Sequence, residues 1–218
     1  MFAEIKSQST LRLIEVREVL DFIKAKTPKP PKREPVSLLI SKGLFFVHLY
    51  GAYEYTVKTT VLKSIELINL DCPKLNDCKP MLMSIALNPE LDSIASVGDK
   101  KWEKRHELFS KVEANGSIQI LNELFPTNGR NLKYRQLQSI WKSFSMTEPV
   151  LPRLELGGRI TELISNRNAI AHGTSSAASV GSLNTITELY KRHSEISEIC
   201  SYIIHTFQEY IKSKSYLK

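Results

Sequence analysis

The chain has 218 residues, 42% of them apolar and 24% charged, with a formal net charge of +7. That length suits one medium-sized domain, or a domain carrying an insertion, and the apolar share excludes wholesale disorder. A positive surface attracts polyanions, so nucleic acid fits as a partner better than a basic substrate does.

The three cysteines, Cys72, Cys78 and Cys200, are too few and too scattered for a disulfide framework. They also lack the second Cys/His pair that a zinc site needs. Neither a metal nor an organic cofactor is expected. The start, Met1-Phe2-Ala3-Glu4-Ile5-Lys6, shows no charged-then-apolar leader pattern. The most apolar window, residues 38–55, is interrupted by Lys42, His48 and Glu54, which argues against a membrane span. A reduced, cytoplasmic setting is the expectation.

In chain order, Leu13, Val16, Leu20 and Ile23 recur at helical spacing and predict a helix over about 10–26. The proline-rich run 27–35 ends it as an extended connector. Residues 37–70 carry no proline, and Phe46, Tyr50, Tyr53, Val57, Val61, Ile65 and Ile68 mark one face of a long helix. Gly43 and Gly51 inside it suit close helix contact. Pro73, Pro80 and Pro89 predict irregular chain to about residue 98. Residues 101–112 read as a charged helix, 117–125 as a short one and 131–144 as another, after an Asn128-Gly129 turn. A helix from near Pro152 to His172 should stop at Gly173, a loop should span 174–181, and a last helix should run over 182–214. The expected fold is all-α: one domain over 1–218, four long helices, and a small helical insertion at about 71–150.

The chemistry concentrates at Arg167-Asn168-Ala169-Ile170-Ala171-His172-Gly173. The apolar stripe Leu156, Ile160, Leu163 calls for another apolar residue at 167, and an arginine stands there. A buried arginine must be paired or must face a ligand or another subunit. Asn168 and His172 are four residues apart and share a face. Histidine transfers protons near neutral pH, and arginine holds phosphate bidentately. RNA brings its own nucleophile, the 2′-hydroxyl, so the trio suits phosphodiester cleavage. An arginine and a histidine that merely satisfy backbone carbonyls fit the same spacing. An Arg-Asn pair followed by His four residues later is expected about 0.01 times by chance at this composition.

Residues 167–173, following a leucine-rich helix, resemble the signature of the HEPN superfamily, most closely its stand-alone bacterial members. The helix at 37–70, with Gly51-Ala52-Tyr53-Glu54-Tyr55, supports the resemblance more loosely. It implies an all-α bundle that forms a homodimer with two motifs facing each other. It also implies a metal-independent endoribonuclease, a toxin or defence effector acting on RNA, with Arg167, Asn168 and His172 catalytic. An antitoxin or regulatory protein is an expected partner. Members controlled by tyrosine modification carry tyrosine two residues after the histidine; Thr174 stands there. Some HEPN domains are non-catalytic modules that bind RNA, nucleotide or protein.

Arg130, Lys133, Arg135 and Lys142 form an acid-free basic run with Tyr134 and Trp141 among them, a pattern suited to phosphate contacts and base stacking. A solvated helix face anchored by apolar residues reads the same way. Lys26, Lys29, Lys32 and Arg33 are a second basic cluster. Tyr53 and Glu54 are candidates to reach the motif from the long helix.

Overall fold

The computed structural model describes residues 1–29, 31–127 and 131–218. Among them are nine α-helices and no strand: α1 (Ala3–Lys26), α2 (Val36–Asp71), α3 (Pro80–Ala86), α4 (Asn88–Ser96), α5 (Lys101–Ala114), α6 (Tyr134–Ser143), α7 (Leu156–Ala171), α8 (Ala177–Ser182) and α9 (Ile186–Lys212). The all-α expectation is met. Pro30 and the Asn128-Gly129 turn lie outside the described residues.

Two compact units emerge. The first comprises residues 1–60, 129–135 and 151–205, and the second 61–128, 136–150 and 206–218.

In the first unit, α1 buries Ile5, Ser9, Leu13, Val16, Leu20 and Ile23. It starts earlier than its apolar pattern announces, because a core position is filled by Ser9. The Ser9 hydroxyl is satisfied inside the fold by the Thr56 hydroxyl of α2 at 2.6 Å. Arg12 of α1 lies over the Tyr55 ring of α2 at 4.0 Å. The α2 helix buries Phe45, Phe46, Leu49, Tyr50, Tyr53 and Val57. It is long and apolar enough to cross a membrane by length and composition, so the sequence window understated it; half of its most apolar stretch is buried inside the fold. Its apolarity is that of a core helix.

α7 begins at Leu156 rather than near Pro152. Residues 153–158 first form a tight turn, with Leu156 N–H to Arg153 O at 3.2 Å and Gly157 N–H to Leu154 O at 3.1 Å. The Arg153 side chain is drawn to Glu198 of α9 at 2.6 Å. The expected loop 174–181 contains the short α8, whose N-terminus is capped by the Ser176 hydroxyl accepting from Ser179 N–H at 3.1 Å. α8 lies directly on α2. A Cβ on Gly43 would stand 2.0 Å from the Ala177 carbonyl oxygen, and one on Gly181 would stand 1.9 Å from that of Leu39. The two backbones touch through these glycines. Gly51 opens onto free space and makes no such contact.

In the second unit, Pro80 and Pro89 sit in the first turns of α3 and α4, where a missing N–H costs nothing. The expected irregular chain is therefore helical. The expected helix at 117–125 does not form, because its backbone bonds sideways. Ser117 pairs with Lys74, Ile118 N–H reaches Pro73 O at 2.9 Å, and the Asn69 amide holds both Ile120 N–H (2.9 Å) and Ile120 O (2.8 Å). Trp141, Phe144, Phe207 and Tyr210 meet edge to face. Of the cysteines, Cys72 is exposed while Cys78 and Cys200 are buried, and burial pushes the Cys200 thiol up to about 12.

Gly181→Ala forces two backbones apart, so a loss of about 2 kcal/mol or more in urea unfolding is expected. Gly51→Ala, in open space within a helix, should be neutral or stabilising by up to about 1 kcal/mol.

His193 of α9 is half-buried, and its Nε2–H donates to the Leu13 carbonyl at 2.8 Å. Burial lowers its pKa, the Leu13 bond and Asp21 oppose this, and Arg17 reinforces it. The folded chain therefore takes up this proton less readily than the unfolded chain. Its contribution is present above the ordinary histidine pKa of 6.5 and is lost as pH falls toward the folded value. Thermal unfolding between about pH 7 and 5 should show less pH dependence in His193→Gln than in wild type.

Candidate functional site

α7 buries Leu156, Ile160, Leu163 and Ile164 along one stripe. Arg167 continues that stripe and is half-buried. Three contacts from three segments hold its guanidinium, which lies 4.6 Å above the Tyr50 ring of α2. Its Nη1 donates to Asn168 Oδ1 at 2.8 Å and, at the long limit of 3.5 Å, to Asn131 Oδ1. All three partners are uncharged, and among the described residues Arg167 makes no ion pair. Glu54, one turn beyond Tyr50, pairs instead with Lys58 at 2.8 Å.

His172 follows as the C-cap of α7, and its N–H bonds Asn168 O at 2.9 Å. Its imidazole is exposed and takes no protein partner among the described residues. Gly173 adopts φ 69°, the left-handed stop expected of it. Ser175 N–H and the Thr174 hydroxyl both bond Ala169 O at 3.1 Å, closing the helix end. The motif thus presents a fixed cation and, at the last turn, a solvent-facing imidazole. Asn168 spends its side-chain oxygen on Arg167.

Tyr50 is 2% exposed and was legible only as core. Burial, with the Glu54 carboxylate nearby, raises its phenol above the ordinary value. It stays neutral and presents its ring face to Arg167. Asn131 carried no signal beyond its place ahead of α6. Tyr53, by contrast, is fully buried and donates to Leu132 O at 2.8 Å, so it fixes the segment carrying Asn131 without touching the arginine.

Of the basic run, Arg130 lies outside the described residues. Lys133 and Arg135 are exposed, and Lys133 is two residues from Asn131; Lys142 is also exposed, on α6. Trp141 is 2% exposed and packed on Phe207, which removes it as a base-stacking surface. Tyr134 packs beside Gly157. Lys29, Lys32 and Arg33 are exposed, and Lys26 lies near the Phe22 ring. Among the described residues no cluster of three His, Cys, Asp or Glu side chains is placed to hold a metal.

The ring beneath Arg167 has a direct signature. The Arg167 Nε–H proton resonance should lie upfield in wild type and in Tyr50→Phe, and return toward its unshielded position in Tyr50→Leu. An unchanged resonance in Tyr50→Leu would remove the stacking contact from the site.

Comparison with known proteins places the chain. No curated protein and no solved structure matches it. One family model does, over residues 11–209, from within α1 into the last turns of α9 and through the whole of the motif helix. With nearly the full length matched, the chain belongs to the RiboL-PSP-HEPN family.

Proposed function

We propose that the chain is a metal-independent endoribonuclease, a cytoplasmic toxin or defence effector, with Arg167, Asn168 and His172 as its catalytic residues. One observation carries this reading: Arg167 is a half-buried cation held only by neutral groups. The other arginines of this unit that are buried or half-buried, Arg159 and Arg192, meet glutamates, whereas the exposed Arg12 stacks on Tyr55 with no ion pair among the described residues. An arginine fixed without one retains its field for an anion from outside. Family membership adds an RNA-related context.

In this mechanism the 2′-hydroxyl attacks the adjacent phosphorus, the P–O5′ bond breaks, and the products are a 2′,3′-cyclic phosphate and a 5′-hydroxyl. Two protons move: one leaves the 2′-hydroxyl and one joins the departing 5′-oxygen. His172, exposed at the helix cap, carries one of these transfers. Arg167 meets the charge that builds on the phosphoryl oxygens. Asn168 holds the guanidinium. Because each chain offers one such histidine in the motif, a twofold homodimer that brings a second His172 close supplies the other transfer. Lys133 and Arg135, with Arg130 and Lys142, are proposed phosphate contacts along the RNA. An antitoxin or other regulatory protein is the proposed controlling partner, and no membrane is involved.

Purified protein should cut labelled single-stranded RNA in EDTA, leave the matching DNA intact, and sediment as a dimer at micromolar concentration. His172→Ala and Arg167→Ala should each lower the cleavage rate by about 10²–10⁴ while remaining folded and dimeric. Absence of cleavage by wild type, or full activity in folded His172→Ala, would replace the enzyme by a non-catalytic module that binds RNA, nucleotide or protein.

A further inference from the structure

The α2 helix exposes one stripe of aliphatic side chains. Val36 is 64% exposed, Ile40 40%, Leu44 47% and Val47 37%. Spaced by four, four and three residues, they line one helix face, and the exposed Gly51 closes it one turn later. Between Val36 and Gly51 this line carries no charged side chain. Ser37, Ser41 and His48 stand about 60–100° to one side, where His48 faces Glu15 of α1 at 3.8 Å. On the other side lie α8, which touches Leu39 and Gly43, and Arg167 over the Tyr50 ring. Beyond the ends come the exposed Lys32 and Arg33, ahead of Val36, and Glu54 paired with Lys58 at 2.8 Å, past Gly51.

An uncharged aliphatic line suits a protein surface and not a polyanion. The stripe amounts to about 300 Å², the size of patch that marks an interaction site. It forms the apolar centre of an interface, and the polar residues on either side supply the rim of the about 800 Å² per partner that a stable complex needs.

The spacing of the stripe points to a second copy of this chain. Val36 and Gly51 lie equally far from a midpoint between Gly43 and Leu44, and so do Ile40 and Val47. Turned about a twofold axis at that point, an antiparallel copy sets Ile40 beside Val47 and Val36 beside Gly51. Each pair is made twice, and Leu44 lies next to its own equivalent. A different protein imposes no such symmetry on its docking face. Antiparallel pairing also keeps the two Lys32–Arg33 clusters apart by the length of the stripe, about 22 Å, beyond the screening length of about 8–10 Å.

We infer that a second copy of the chain docks antiparallel along Val36, Ile40, Leu44 and Val47 of α2. The inference rests on the homodimer of the proposed ribonuclease and locates its axis. The chain from Arg167 to Ala177 runs along α2 from the level of Tyr50 to that of Gly43, with His172 midway. A twofold at Leu44 therefore sets both motifs on the same side of the paired helices.

The test is sedimentation of the full-length protein across micromolar concentrations. Leu44→Glu buries two facing carboxylates at the axis and should weaken the dimer by about 10²-fold or more. Leu44 is exposed in the single chain, so circular dichroism should stay unchanged. Leu44→Cys, in a Cys72→Ser background, should cross-link to a covalent dimer under mild oxidation. A monomeric wild type overturns the inference and leaves the stripe to a different protein. A Leu44→Glu variant that dimerises like wild type overturns it as well. A dimer that Leu44→Glu dissociates, but that cuts no RNA, leaves the inference standing and removes only the ribonuclease.

Discussion

The site rests on an electrostatic constraint: a guanidinium withdrawn from water must be stabilised without being neutralised. A carboxylate partner would stabilise Arg167 best, and would also cancel the field that an incoming phosphate needs. The fold uses weaker, neutral partners instead. An aromatic face contributes about 0.5–2 kcal/mol, depending on desolvation. An amide oxygen adds a charge-assisted hydrogen bond of about 1.5–3 kcal/mol. The same unit pairs its other buried or half-buried arginines, Arg159 and Arg192, with glutamates, while the exposed Arg12 rests on the Tyr55 ring.

Within the first unit, α2 serves as the template for this arrangement. Its Tyr50 supports Arg167, and its Gly43 receives the backbone of α8, the helix that follows the motif. Its Thr56 and Tyr55 are engaged by Ser9 and Arg12 of α1. Tyr53, three residues from Tyr50, anchors the Leu132 carbonyl and so the segment bearing Asn131. One rigid helix thus fixes the depth of the arginine and the position of the chain on either side of it.

How much of this was legible follows from the physics of each element. Long helices with clean apolar periodicity, α2 and α9 above all, announce themselves, because burial enforces the spacing. The start of α1 was hidden by Ser9, a polar residue in a core position made tolerable by a hydroxyl partner far away in sequence. Residues 117–120 carry no local sign that Asn69 and Pro73 bind their backbone. Pro80 and Pro89 read as breakers, yet a proline in a first turn starts a helix as readily as it ends one. Arg167 stood out because it interrupts an apolar stripe. Tyr50 did not, since a tyrosine on a core stripe looks like core until its ring is found facing a cation. Trp141 left two readings open for the converse reason: a tryptophan among basic residues suits a stacking surface or an apolar anchor equally until it is found packed against Phe207.

The unequal burial of the three thiols has a practical side. Cys200 is enclosed beside Thr56, and burial holds its proton in place; Cys78 is enclosed as well, and burial raises it too. Only Cys72, at the turn that ends α2, meets solvent. A maleimide dye added to the native protein should therefore mark one position per chain without any substitution. In a twofold assembly the two dyes form a symmetric pair, whose energy transfer reads subunit pairing and exchange directly in solution.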